Sequence, residues 1–330
     1  MRRLAAALLW LAAACLLPAG AVSAGAQIPA ATLTQADVLL QNGQADQAIT
    51  LLSSLPTSGT GADVAQNLLC RVRFMLQQWP QAVTACQLAI NLNGQNSDYH
   101  MWLGRVLGQQ AGHASIFSAY GIAKHSLSEM QTAVQLNPKN GPALSDLGDY
   151  YAQAPGIAGG GADKANGIAA RLDKVDAVRA AQLRGDIAMA QKDYTTAEQQ
   201  YRQAVSAAHH PAHEWTVLGA FYKSRKQYSD MQTAIQSCVN AEARDKAAGV
   251  PLYDGAGVLI EGKQNPQLAE QMLTNYLAGS QKSEEAPAFI AYIRLSRLKQ
   301  QLGDATGAQQ DLNSAAALAH EFNPSQDAKH

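Results

Sequence analysis

Three histidines stand beside an acidic residue in the segment HHPAHE, where His209, His210 and His213 precede Glu214. Imidazole nitrogens are common zinc ligands, and three of them can hold a zinc ion that keeps one position open. Pro211 separates the first two histidines from the third, and adjacent side chains point in different directions. We interpret them as solvated loop residues and keep a metal-binding protein as an alternative.

The segment GIAGGGADK, residues 156–164, has the glycine content of a phosphate-binding loop. Successive glycine amides can surround an anion, but such loops also require a lysine and a hydroxyl residue where this chain has Ala162 and Asp163. We predict a structural turn in which Pro155 ends one helix and Asp163 caps the next. Anion binding by this loop stays an alternative.

Other candidate catalytic groups lack partners in the sequence. His113 and His125 flank an insertion, with Lys124 beside the second, but a general base acts on a positioned nucleophile, and no Ser or Cys has the appropriate context. We interpret these histidines as surface or capping residues. We therefore predict neither an enzyme nor a cofactor.

The first 26 residues have the pattern of a secretory signal peptide, with Arg2 and Arg3 before an apolar run over 4–17 and small residues near the predicted cleavage site. We predict that this segment is removed and that the mature chain is periplasmic or secreted. Cys15 suggests a lipid anchor as an alternative, although two leucines follow it where lipidated chains usually have small or polar residues. We predict no transmembrane segment in the mature chain.

The charge composition argues against nucleic acid as the partner. Without Arg2 and Arg3, 23 basic side chains face 26 acidic ones, and only 15% of the full chain is charged. Proteins that bind nucleic acid neutralise phosphates with clustered basic residues, and no basic stripe is present. We expect a protein or peptide partner that is recognised by shape and hydrogen bonds.

Three cysteines remain after removal of the predicted signal peptide. Cys70 and Cys86 could pair in an oxidising compartment, which would leave Cys238 free. Each of the three occupies an apolar helical position where a small residue packs well. We therefore expect packing roles, with a bond between Cys70 and Cys86 as the alternative.

These residues lie in a chain that repeats one pattern of side-chain size. Gly185 is followed by Tyr194, and thirty-four residues later Gly219 is followed by Tyr228. The apolar stripe of the second helix extends in both directions, with spacings of 34 and small insertions. Its equivalent positions are Ala48, Ala82, Ser126, Ala165, Ala197, Met231, Ala269 and Ala308.

The pattern resembles the tetratricopeptide repeat (TPR) family. Trp215, Leu218, Gly219 and Tyr222 match its first-helix motif, and AVQLNPKN at 133–140 matches its end-of-repeat motif. The resemblance implies an all-α, right-handed superhelical solenoid of about eight helix-turn-helix repeats. We expect it to span residues 27–320, with a disordered tail at 321–330.

Insertions in repeats three and four resemble a secreted or periplasmic bacterial subgroup of the family. In repeat three we expect a lengthened second helix that starts near Ser115. Repeat seven contains Gly255, Gly257 and Gly262 where helix-forming residues are expected, so we expect local distortion there. Repeat eight has Ser296 at the position of the repeated glycine.

A small residue in the first helix allows close approach of its neighbour, whose bulky side chains fill the space around it. We therefore predict structural notches at Gly104, Gly148, Gly185 and Gly219.

The resemblance also implies a concave groove, lined by first-helix residues that are named by their register. They are Asn67, Arg71, Phe74, Met101, Arg105, Gln109, Asp146, Asp149, Gln153, Gln182, Asp186, Lys223, Arg294 and Arg297. Asp149 and Asp186 stand where chaperone-binding members have asparagines, which argues against a chaperone-tail function. We expect a non-enzymatic scaffold of the bacterial cell envelope that holds a peptide or protein in this groove.

Overall fold

The computed structural model describes residues 27–322, so the predicted signal peptide and residues 323–330 lie outside the described part. Within it the fold is all α, with sixteen α-helices, one 3-10 turn at Gly156–Ala158 and no strand. The helices are α1 (Ala30–Gln41), α2 (Ala45–Ser53), α3 (Ala62–Met75), α4 (Trp79–Leu92), α5 (Ser97–His113), α6 (Ile116–Leu136), α7 (Gly141–Gln153), α8 (Ala162–Leu172), α9 (Ala177–Ala190), α10 (Tyr194–Ala207), α11 (Ala212–Ser224), α12 (Tyr228–Arg244), α13 (Val250–Glu261), α14 (Pro266–Ala278), α15 (Ala288–Gln301) and α16 (Ala305–Leu318).

Consecutive helices form eight pairs, each packed on the next, which confirms the predicted all-α solenoid of helix pairs. Six pairs share one turn geometry, in which the second residue after the first helix has positive φ. These residues are Gly43, Gln77, Lys192, Lys226, Lys263 and Gly303. Pairs three and four, which contain the insertions, do not have this turn.

The repeated glycines lie where two helices come close together. A Cβ atom at Gly219 would lie 2.7 Å from Cδ1 of Ile235 on the partner helix, and one at Gly104 would lie 2.8 Å from Met130. Gly148 differs, because its nearest neighbour is Leu183, on the first helix of the next pair. A larger residue at any of these positions would push the helices apart.

Gly185 leaves space on α9 for the ring of Tyr201. A Cβ atom there would lie 2.4 Å from the ring of Tyr201 on α10. The hydroxyl of Tyr201 donates a hydrogen bond to Asp186, at 2.7 Å. The notch therefore lets α10 hold a carboxylate of α9.

The last two pairs depart from the pattern without losing regular helices. α13 runs unbroken through Gly255 and Gly257, so the expected distortion of repeat seven was wrong. Gly255 accommodates the methyl group of Met272, which lies 2.5 Å from its hypothetical Cβ. The hydroxyl of Ser296 donates to the carbonyl of Ala308, at 2.7 Å, so a hydrogen bond joins the helices at this notch.

The two insertions take different forms. α6 has 21 residues and begins after Ser115. The other insertion is a loop between α7, which ends at Gln153, and α8, which begins after Gly161. Asp163 lies in the first turn of α8 and makes no capping hydrogen bond, so its predicted capping role was wrong.

The two ends of the solenoid contact each other and close it into a ring. Arg71 and Gln41 bond to Glu284 in the loop between α14 and α15, and His320 contacts Asp46. The amide nitrogen of Ala288 lies 2.6 Å from where a Cβ atom of Gly43 would be. The predicted repeat pattern describes local stacking and does not specify this closure.

The end of the chain contributes to the closure. The ring of Phe322 packs on Phe289, with centroids 5.0 Å apart, and Glu321 bonds to Arg73 and Gln78. The packed region therefore extends at least two residues beyond the predicted boundary at residue 320.

Cys70 and Cys86 form a disulfide between α3 and α4, with Cα atoms 5.1 Å apart. The expectation of packing roles for these two residues was wrong, because the register of the pair places them directly opposite each other. Cys238 is free and buried.

Candidate functional site: the central hollow

Closure of the ring leaves an open cavity of about 1080 Å³, which we call the central hollow. It is lined by residues of α3 to α7, of α13 and α15, and of the loop at 284–287. Residues distant in sequence therefore line one space, as expected when a solenoid turns back on itself.

Three aromatic side chains, Phe74, Trp79 and Trp102, line one side of the hollow and are called the aromatic wall. The ring of Phe74 meets Trp79 and Trp102 edge-on, at centroid distances of 5.5 and 5.6 Å. His113 stacks on Trp79. Such arrangements add to the stabilisation from buried area and make this wall rigid.

Trp102 lies close to two arginines. The guanidinium carbon atoms of Arg71 and Arg105 lie 5.5 and 4.9 Å from its ring centroid. Arg71 bonds to Glu284, and Arg105 donates two hydrogen bonds to Asp146 at 2.6 and 3.2 Å. The cations beside the aromatic wall are thus already paired with carboxylates of the chain.

The opposite situation holds at Asp149, one turn along α7 from Asp146. Burial raises the pKa of Asp149 to about 7, and the nearby carboxylates of Asp186 and Asp146 add to the effect. No cation among the described residues forms an ion pair with it; Arg179, which lies nearby, bonds to Asp176. The Asp149 carboxylate therefore lines the hollow without an ion-pair partner in this part of the chain, and the nearby Arg179 only partly offsets the increase in its pKa.

A second carboxylate without an ion-pair partner lines the hollow from the loop before α15. It belongs to Glu285; Asp254 on α13 does not line the hollow, and burial raises its pKa to about 6. The cation there is Arg294, whose guanidinium lies 4.0 Å from the ring centroid of Tyr253. We call Asp149 and Glu285 the acidic side of the hollow.

Seven of the residues predicted for the groove line the hollow: Phe74, Arg105, Gln109, Asp146, Asp149, Gln153 and Arg294. Gln109 and Gln153 are exposed there, so their amide groups can bond to a ligand.

The other predicted groove residues are Asn67, Arg71, Met101, Gln182, Asp186, Lys223 and Arg297, and none of them lines the hollow. Asn67 and Met101 are buried, each 6% exposed, and Lys223 pairs with Glu261. Arg71 takes part in the closure of the ring, and Asp186 is held by Tyr201. Register identifies the inner helices, but neighbouring side chains decide which positions remain accessible.

Sequence reasoning did not identify several residues of the hollow. Trp79 begins the second helix of its pair, and Glu284, Glu285 and Pro287 lie in a loop, outside the first-helix register on which the prediction relied. Tyr253 lies on a first helix, next to Asp254, and an aromatic residue there was a usable signal.

Neither the glycine loop nor the histidines at 209, 210 and 213 line the hollow, whereas His113 stacks on Trp79 of the aromatic wall. His210 is exposed and bonds to Asp245 at 2.9 Å, and the part of the chain that the structure describes has no group of three potential metal ligands. In the loop the amides of Gly159, Gly160 and Gly161 donate to backbone carbonyls, so they do not converge on an anion.

None of the helices in residues 27–322 has the length and apolar character needed to cross a membrane.

Comparisons with known proteins give structural likeness without close sequence relatives. No protein-family model matches the chain, and no curated protein matches it. Among solved structures, a thermophilic TPR protein of Thermus thermophilus is 19% identical, with a TM-score of 0.46 over 54% of this chain and 90% of that one. A TPR protein of Parabacteroides merdae is 12% identical, with a TM-score of 0.43 over 87% and 92%. The APC/C heterotetramer Cut9–Hcn1 is 14% identical, with a TM-score of 0.42 over 88% and 54%.

Proposed function

We propose that this solenoid of TPR-type helix pairs is a non-enzymatic scaffold that holds a segment of a protein partner in its central hollow. The observation that carries the proposal is the hollow itself, which combines a rigid aromatic wall with accessible glutamines and an unpaired carboxylate. Interfaces use such aromatic anchors together with a few polar groups.

The size of the hollow favours a polypeptide segment over a small molecule. Its volume of about 1080 Å³ is at the upper end of the roughly 300–1,000 Å³ that is typical of small-molecule sites, and it is open to solvent, whereas small-molecule sites bury most of the ligand. The hydroxyl of Ser126, which lines it, donates to the carbonyl of Gly104 at 2.7 Å and is held by that bond. We therefore assign recognition, and no covalent chemistry, to this space.

We propose the periplasm or the exterior of a bacterial cell as the location. The disulfide between Cys70 and Cys86 supports an oxidising compartment, because cytosolic thiols are usually kept reduced. The signal-peptide pattern at the start of the chain agrees with export. A lipid anchor at Cys15 is the alternative, and the intact mass of the exported protein distinguishes the two.

Photocrosslinking in the cell tests the proposed function. A photoreactive amino acid at Gln153, which is exposed in the hollow, is expected to capture a protein partner. The matched control is Gln199, an exposed glutamine on α10 that does not line the hollow. Capture from Gln199 and none from Gln153 would contradict the proposal.

A further inference from the structure

We propose that the segment held in the central hollow is cationic, with a lysine or arginine side chain placed between the acidic side and the aromatic wall. This inference rests on the proposed function and specifies the chemistry of its partner.

The first argument is the balance of charge. Four carboxylates line the hollow, Asp146, Asp149, Glu284 and Glu285, against two cations, Arg105 and Arg294. Arg105 pairs with Asp146, and Glu284 pairs with Arg71. Asp149 and Glu285 remain without an ion-pair partner among residues 27–322, and Arg294 is the one lining cation left, so an excess of one negative charge makes the hollow attract positive charge.

The second argument is the setting of Asp149. Its electrostatic neighbours are Asp146 on its own helix, Arg179 and Asp186 on α9, and Tyr201 on α10. Arg105 on α5 is paired with Asp146, and Arg179 with Asp176. Negative charge therefore prevails around Asp149, and a cation supplied by the partner would favour its ionised form.

The third argument is the aromatic wall on the same cavity. A lysine or arginine stem packs on ring surfaces while its charged head reaches a carboxylate, and the face of an aromatic ring attracts a nearby cation. The chain itself shows this contact at Trp102, with Arg105, and at Tyr253, with Arg294. Phosphate-bearing partners are disfavoured because the acidic side repels them.

The test selects from a displayed pool of random short peptides on the purified chain, without a signal peptide, at about pH 8. We expect retained peptides to be enriched in lysine and arginine relative to the unselected pool. A retained peptide should bind about tenfold more weakly to Asp149→Asn, and also to the unchanged protein at about pH 6, where Asp149 is largely protonated. Gln199→Ala is the matched control and should bind like the unchanged protein.

The outcomes show whether this inference fails alone or together with the proposed function. Neutral or acidic peptides that compete with crosslinking from Gln153 would overturn the cationic partner and keep the scaffold. Retention of no peptide would overturn both. If cationic peptides bind Asp149→Asn and Glu285→Gln as tightly as they bind the unchanged protein, they bind outside the acidic side, and the inference is overturned. Circular dichroism checks that both variants are folded.

Discussion

Charged groups beside the aromatic wall and on the acidic side of the central hollow differ in whether they have ion-pair partners. Beside the aromatic wall, Arg71 and Arg105 lie close to Trp102, and each is paired with a carboxylate. On the acidic side, Asp149 and Glu285 have no such partner in the described part of the chain, and burial raises the pKa of Asp149. Asp149 and Glu285 are therefore the groups that the proposed cationic partner would compensate.

This difference separates charged groups that stabilise the fold from charged groups that destabilise it. A paired and hydrogen-bonded charge compensates for its loss of water, whereas a buried carboxylate beside other carboxylates does not. Sites of recognition often contain such destabilising groups, because the ligand supplies the missing interaction. The predictions below test whether the two sides differ in this way.

The largest effect is expected for Arg105→Ala. The substitution leaves Asp146 partly buried without its cation, and we expect the free energy of unfolding to fall by about 3 kcal/mol. Urea unfolding followed by circular dichroism measures the change. Replacing Arg105 and Asp146 together by apolar residues should recover most of the loss, and a double variant as unstable as the single one would contradict the assigned pairing.

A smaller change of opposite sign is expected for Asp149→Asn. The raised pKa means that this group stabilises the folded state below its unfolded pKa of about 3.9, and that this contribution is lost as the pH rises through about 7. Asparagine cannot ionise, so the variant should be more stable by about 2 kcal/mol at pH 8 and unchanged near pH 4. Thermal unfolding at the two values measures this. Asp163→Asn, at an exposed position on α8, is the control and should change neither.

The smallest effect is expected at the contact that closes the ring. Glu284→Gln removes a charge that bonds to Arg71, and we expect a loss of about 1 kcal/mol. Hydrogen exchange should accelerate in α1 to α3 and in α16, next to the closure, and stay unchanged in α9 to α12. A uniform change along the chain would contradict a ring that is closed by this contact.

The sequence predicts the repeating part of the fold well, because helix pairs and notches are local. Gly219 and Ile235 lie sixteen residues apart, within one pair, and a pattern in side-chain size is sufficient to relate them. The contact of Arg71 with Glu284 joins residues more than two hundred positions apart, and no periodicity specifies it. Closure accumulates from small rotations at every interface between repeats.

Only part of the candidate site was predicted, because part of it lies on regular first helices and part of it depends on long-range contacts. Asp149, Gln109 and Gln153 were predicted from the family resemblance, which assigns inner-face positions along each first helix, and they line the hollow. Glu285 comes from a loop that register does not describe, and Trp79 comes from the start of a second helix. Arg71 and Asp186 have the correct register but are engaged by Glu284 and Tyr201, which only a three-dimensional arrangement reveals.

The most direct test of the unpaired charge in the hollow is an NMR titration of the Asp149 carboxyl, assigned by comparison with Asp149→Asn. We predict an apparent pKa of about 7 in the free protein and a lower value once a cationic peptide is bound. A value near the ordinary aspartate pKa of about 3.9 in the free protein would contradict the account, because Asp149 would then already be compensated within the chain.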